Sequence, residues 1–349
     1  MYVNTDVAPG GDGSPGNPYA TLTEALIPIR LVGSTSAPWD IRCSGAAADP
    51  GFSGIWSLDH SVWEFVTSPT NKVRVFGNNT SGRWDASKYH ISVTNRHAIY
   101  NQYAAHIELY GLQVELTVTD TLDHDAIRLS TANNDTTNGA GFFIIKNCIA
   151  RTGPSSINGT VRGFIQSILG AGNGDLYVEN GLFIGRGTST DIGFNTDATP
   201  WAQAHVRHSN CTVAKCVFGF EDSSITKNCL ATGCAFGFLG TMTGDYNAED
   251  DGNGIPGGGT HNHSATTFTF VDAANGNYHL ASTDTGARGL GVTAPDGALF
   301  SDDLDGQTRA IPWDIGADQY AVVASAARFP HGSLGGLPAL GVGTPVLGG

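Results

Sequence analysis

Apolar positions along this chain fall in short runs bounded by Gly, Asn, Asp and Ser, the spacing of brief β-strands and tight turns. Lys72 to Phe76, Ile91 to Thr94, His106 to Tyr110, Leu112 to Val118 and Ala126 to Leu129 read as strands. Two later stretches are near copies. Ser209-Asn210-Cys211 to Phe218-Gly219-Phe220 and Lys227-Asn228-Cys229 to Phe236-Gly237-Phe238 share the pattern N-C-x4-C-x-F-G-F at an offset of 18 residues. That period fits one turn of a solenoid coil better than a helical or hairpin unit. Phe142 to Cys148 and Asp175 to Ile184 echo it more loosely, each placing an Asn after an apolar run. The asparagines Asn147, Asn180, Asn210 and Asn228 are spaced by 33, 30 and 18 residues, so irregular loops must interrupt the coils. At one corner of successive coils they can hydrogen-bond along the stack as a ladder, and Asn tolerates the left-handed backbone of a sharp corner. The plain alternative is four ordinary turn residues.

One helix is expected. Thr21-Leu22-Thr23-Glu24 matches a capping box, Leu22, Ala25 and Leu26 form an apolar stripe, and Pro28 is expected to end it. A short amphipathic helix there plugs the open end of a solenoid, whose unpaired edges otherwise invite aggregation. The pattern predicts an all-β chain: a single-stranded right-handed parallel β-helix, or solenoid, with an N-terminal capping helix and an irregular C-terminal tail. Its expected divisions are a cap over 1–30, the β-helix over 31–320 and a tail over 321–349.

Composition agrees with that reading. The chain has 47 Gly in 349 residues, 14% charged and 40% hydrophobic residues, which describes a turn-rich, strand-rich protein that is not disordered. A formal net charge of −14 argues against nucleic acid and anionic membranes as partners. No run approaches the roughly 18 apolar residues of a membrane span, and the N-terminus lacks a basic segment followed by an apolar one, so no export signal is expected. Five of the six cysteines, all but Cys43, sit in runs that read as buried strands. Without a CxxC pair they are expected to be reduced core residues and not zinc ligands.

Tyr2-Val-Asn-Thr-Asp6, then Gly11-Asp-Gly-Ser-Pro-Gly-Asn-Pro-Tyr19-Ala-Thr-Leu, resembles the start of pectate-lyase-like parallel β-helices. Phe268 to Asp272, Gly276 to Leu280, Gly286 to Gly289, Asp305 to Arg309 and Asp314 to Tyr320 resemble the closing coils of that superfamily. The resemblance spans roughly residues 1–320 and implies the fold. It does not imply one function, because lyases, hydrolases, adhesins and phage spikes share it. The tail is different. Leu334-Gly-Gly-Leu-Pro-Ala-Leu-Gly-Val-Gly-Thr-Pro-Val-Leu-Gly-Gly349 resembles low-complexity segments of phage virion proteins. Phe329, Leu334, Leu337, Leu340, Val342, Val346 and Leu347 are therefore the expected contacts of an arm that orders on a partner, with a disordered terminus as the alternative.

Hydrolases of this superfamily use clustered aspartates, and Asn195-Thr196-Asp197 with Asp250-Asp251 match two of their motifs. The Gly-His-Gly and Arg-Ile-Lys motifs are missing. A lyase needs carboxylate-held Ca²⁺ and a base. Arg207 and Lys215 are the candidate bases, but neither adjoins an acidic cluster in sequence. The acidic runs Glu249-Asp250-Asp251 and Asp302-Asp303-Leu-Asp305 read as solvated turns, and His261-Asn262-His263 as an exposed loop; no metal site or cofactor is expected. Trp56, Trp63, Trp84 and Trp201 are candidates for stacking on sugars, against the ordinary role of aromatics as core.

The expected function is structural, as a spike, fibre or decoration protein at the surface of a bacteriophage virion. The β-helix projects outward, the arm anchors it, and the rod contacts host glycans. Its partners are other virion proteins, further copies of itself (a trimer being one form) and host surface polysaccharide. A start immediately before the first strand suits assembly in the host cytoplasm. A polysaccharide depolymerase, with Asp197, Asp250 and Asp251 as catalytic residues, is the alternative, and a non-catalytic glycan-binding adhesin the third reading.

Overall fold

The computed structural model describes residues 1–32, 38–51, 72–101, 106–132, 142–156, 159–169, 175–187, 190–197, 206–222, 225–295 and 299–320. They form a right-handed parallel β-helix of three sheets. The first sheet stacks Tyr2–Asn4, Trp39–Ser44, Val73–Phe76, Ile107–Tyr110, Phe142–Lys146, Asp175–Glu179, Val206–Ser209, Ile225–Lys227 and Thr243–Asp245. The second stacks Ala48–Asp49, His90–Thr94, Gln113–Thr117, Ile149–Thr152, Leu182–Ile184, Thr212–Ala214, Leu230–Thr232 and Ala248–Glu249. The third stacks Ile99–Asn101, Asp123–Ala132, Thr160–Leu169, Ile192–Asp197, Phe218–Glu221 and Phe236–Leu239. Each coil visits the sheets in that order. The two 18-residue copies are successive coils, in register at Arg207 with Ile225, Thr212 with Leu230 and Phe218 with Phe236.

The repeat residues do distinct jobs. Asn147, Asn180, Asn210 and Asn228 turn the chain from the first sheet to the second, with φ between 53° and 55°. The next residue enters the core: Cys148, Cys211 and Cys229 are fully buried, and all six cysteines are free thiols. On the third sheet the inward rings of Phe164, Phe194, Phe220 and Phe238 stack at 4.8, 4.7 and 4.8 Å between centroids, the strand spacing itself. Each buried ring is worth about 1.5–3 kcal/mol, and each pair adds about 0.5–1.5 kcal/mol. One continuous apolar cluster runs from Val3 and the helix to Met242.

The helix spans Leu22–Val32. Thr21 Oγ1 accepts the Glu24 amide at 3.2 Å, and Glu24 Oε2 accepts the Ala20 amide at 2.9 Å. Pro28 lies inside the helix and does not end it. Its neighbours explain this: Leu22, Ala25, Leu26 and Ile29 are all buried in the end of the rod, and that packing outweighs the one backbone hydrogen bond a proline removes. Among the described residues no helix is long and apolar enough to cross a membrane.

The stack ends at Glu249, and the later residues do not continue it as coils to 320. Phe270–Asp272 and Asn277–Leu280 pair antiparallel, and the chain to Tyr320 lies along the outside of the second sheet. The reason lies in the strands beneath. Ile149, Leu182, Ala214, Leu230 and Ala248 are apolar yet face away from the core, so this sheet is apolar on both faces and needs a cover. Tyr278, Leu280, Ala287, Leu304, Ile315 and Ala317 supply it.

Candidate functional site

The covering segment is fastened at the asparagine corner. Asn180 Nδ2 donates to Asn147 Oδ1 at 2.9 Å, and Asn228 Nδ2 donates to Asn210 Oδ1 at 3.0 Å. Between Asn180 and Asn210 the series breaks. There Arg309 Nη2 donates to Asn180 Oδ1 at 3.0 Å and to the carbonyls of Gly316 and Ala317, and Asn210 Nδ2 has no partner among the described residues. Asn228 also exchanges two hydrogen bonds with the backbone of Val292. The asparagines thus serve the corner and the cover together.

Between cover and coils a cleft of about 410 Å³ opens, lined by Trp84, Arg151, Thr152, Ile184, Lys215 and Asn275 among others. The guanidinium of Arg151 lies 3.8 Å from the Trp84 ring centroid, and its Nε donates to Glu115 at 2.7 Å. That carboxylate orients the cation over the indole. Trp84 Nε1 is buried and has no partner among the described residues, while the ring lines the cleft. Lys215 enters from the corner between the second and third sheets, where its φ is 58°. Among the described residues the lining contains two cations and no carboxylate, with the Glu115 carboxylate bound to one of them, in a chain of net charge −14.

A second cluster lies under the same cover. His279 Nε2 is 3.1 Å from both oxygens of Asp305, and a donor atom of each of His279, Asp305 and Asp318 falls within 4.8 Å of the others. Asp318 is 7% exposed, and its Oδ2 accepts the Leu280 amide at 2.9 Å. These three donors come from separate segments. Burial works against charge on His279, but the carboxylate of Asp305, with Asp318 behind it, raises its pKa above the ordinary histidine value.

Asp250 and Asp251 are committed elsewhere. Asp250 accepts Thr232 Oγ1 at 2.7 Å and the Gly233 amide at 2.9 Å. Asp251 accepts the amides of Gly237 and Asn253. Burial and then the Asp251 carboxyl push Glu249 above the usual carboxylate range. The backbone of Asp197 ends a third-sheet strand three coils earlier, and the side chain of that residue lies outside the described residues. Three coil spacings are about 14 Å along the axis, beyond the roughly 5–9.5 Å that separates paired glycosidase carboxylates. Arg207 sits on the first sheet with its guanidinium 5.3 Å from the Tyr177 ring, far round the coil from Lys215. The two candidate bases thus stand on different parts of one coil, and the Asp197 backbone lies three coils from Asp250.

Two sequence readings change. Asp303 and Glu249 are fully buried, not in solvated turns, because Leu304 packs into the cover and the Glu249 oxygens accept the amides of Gly252 and Ala265. His261 is exposed as expected, paired to Asp245 at 2.8 Å and stacked on Tyr246 at 4.4 Å. Trp56, Trp63, Trp201 and the arm from Phe329 to Leu347 lie outside the described residues. The His279 cluster escaped sequence reading because its donors are spaced 26 and 13 residues apart, unlike any local metal motif; the cleft escaped it because the cover supplies one wall. The chain matches no protein-family model, no curated protein and no solved structure.

Proposed function

We propose that this chain is a non-catalytic rod at the surface of a bacteriophage particle, and that its flank cleft binds an acidic glycan. The observation that carries the binding role is the cleft, whose described lining offers an indole and two cations on a rod whose net charge otherwise repels anions. An aromatic face suits the apolar face of a sugar, and Arg151 and Lys215 suit a uronate or sialate carboxylate. Among the described lining residues no two carboxylates face each other, and the nearby Glu115 is paired with Arg151, so the cleft suits holding a glycan better than hydrolysing it by the two-carboxylate route. Support for the particle comes from the tail, whose Leu-Gly-Pro character suits a docking arm on other virion proteins or on further copies of this chain.

Calorimetric titration with acidic and neutral oligosaccharides tests the binding role. Acidic oligosaccharides should bind and neutral ones of equal length should not, and Trp84→Ala should abolish the signal. Equal binding of both classes, or binding unchanged in Trp84→Ala, sinks the acidic-glycan reading. If the purified chain instead shortens a polysaccharide and Asp250→Asn or Asp251→Asn stops it, the depolymerase reading replaces this one.

A further inference from the structure

We infer that His279, Asp305 and Asp318 form a binding site for a divalent transition-metal cation of the Zn²⁺ or Mn²⁺ class. This does not depend on the glycan reading. Asn277 Oδ1 accepts the backbone N–H of His279 at 3.1 Å, which sets the orientation of that amide, and the same oxygen faces His279 Nδ1. Nδ1 must then be the protonated nitrogen that donates to Asn277. The other nitrogen, Nε2, is left pointing at carboxylate oxygens. A histidine that donates through one nitrogen to a fixed acceptor and presents the other to carboxylates has the second-shell arrangement of a metal ligand.

The spacing of two of the three donors agrees, and the third lies within 4.8 Å of both. Donors held about 2.1 Å from one ion lie roughly 3.0–3.4 Å from each other, and His279 Nε2 stands 3.1 Å from each oxygen of Asp305. Asp318 is more than nine-tenths buried, and the only hydrogen bond to its carboxylate among the described residues is the Leu280 amide on Oδ2, which leaves its other oxygen without a donor. Gly82 roofs the cluster. A Cβ there would sit 1.9 Å from Asp305 Oδ1 and 2.7 Å from His279 Nε2, so any side chain at this position would fill the space in front of the donors. One imidazole with two carboxylates is a mixed set. It favours Zn²⁺ or Mn²⁺ over Ca²⁺, which takes six to eight oxygens. Because the donors lie on the hairpin, the turn at Asp305 and the segment ending near Tyr320, the ion would tie three parts of the cover together.

The test uses the full chain, stripped with a chelator and dialysed against Zn²⁺ or Mn²⁺, with bound metal counted by mass spectrometry. One ion per chain should bind saturably and raise the melting temperature. Asp318→Asn and His279→Gln should each weaken binding tenfold or more, Asn277→Ala by about 10–100-fold, and His261→Gln, a control for the exposed pair with Asp245, should not change it. Should His279→Gln fail to fold, the wild-type chain decides: Zn²⁺ should shift the nitrogen resonance of His279 Nε2 and not that of Nδ1. No saturable binding, equal binding in Asp318→Asn, or binding of Ca²⁺ alone would overturn the inference and leave an imidazolium paired with Asp305.

Discussion

At the scale of single residues, the repeat works because each position is used once per coil for one task. Phe220 stands in the middle of the phenylalanine stack, with rings 4.7 and 4.8 Å on either side. Phe220→Ala removes contacts to both neighbours, and chemical denaturation should show a loss of about 3–5 kcal/mol. His208 packs beside it, 5.1 Å from Phe194 and 5.9 Å from Phe220, with its Nδ1 unpartnered among the described residues. Burial drives its pKa down to about 3, so the folded chain keeps the ring neutral where the unfolded chain protonates near 6.5. The stability it contributes is present above 6.5 and lost as pH falls toward 3, by at most about 5 kcal/mol. Melting curves of wild type and His208→Leu should diverge below pH 6.5, with the variant the less acid-sensitive; parallel curves would show that this histidine is not buried neutral.

At the scale of elements, the decisive feature is the cover on the second sheet. Arg309, 5% exposed, joins it to the coil corner through Asn180 and to itself through the carbonyls of Gly316 and Ala317. Truncation strands several buried acceptors, so Arg309→Ala should cost about 3–5 kcal/mol and raise hydrogen exchange in residues 299–320 while the coils stay protected. Glu179 makes a second fastening by accepting the amides of Leu299 and Phe300. Burial pushes its pKa up to about 7 in spite of those amides, from an ordinary 4.5. The group therefore favours the folded state fully below about 4.5, and that advantage is lost as pH rises through about 7, by roughly 3 kcal/mol. This trend runs opposite to that of His208. Glu179→Gln should flatten the loss of stability between pH 5 and 8; an unchanged pH profile would place the carboxylate in water.

At the scale of the whole molecule, each coil rests on its neighbours, so the rod is built by repetition and needs protection only at its ends and its apolar flank. The helix protects the first end, and residues 252–264 reach back to the last coil through a bridge from Ala248 to His263. Under the proposed particle role the segment 329–349 acts as a docking arm. Its seven large apolar residues offer about 1.5–3 kcal/mol each, against about 1–2 kcal/mol for every residue ordered, so docking needs many copies acting together. Deleting 329–349 should leave a folded rod with an unchanged melting temperature that no longer copurifies with particles. Incorporation at full occupancy would remove the arm from the proposal, and failure to fold would make it part of the cap.

The local pattern alone determined the architecture. The 18-residue repeat set the coil, Asn at a positive φ set its corner, Thr21 and Glu24 set the helix start, and short apolar runs bounded by turn residues set the strands. Those features depend on residues close in sequence or one period apart, which a single chain displays openly. What the tertiary structure decided was everything that depends on distant segments meeting. Pro28 stays helical because the rod end holds it. Residues 266–295 and 299–320 become a cover and not coils because the second sheet is apolar on its outer face. Arg309 breaks the asparagine series because it reaches Asn180 across 129 positions. The cleft and the His279 cluster exist only once the cover has closed, because their walls and donors come from segments that no local pattern joins.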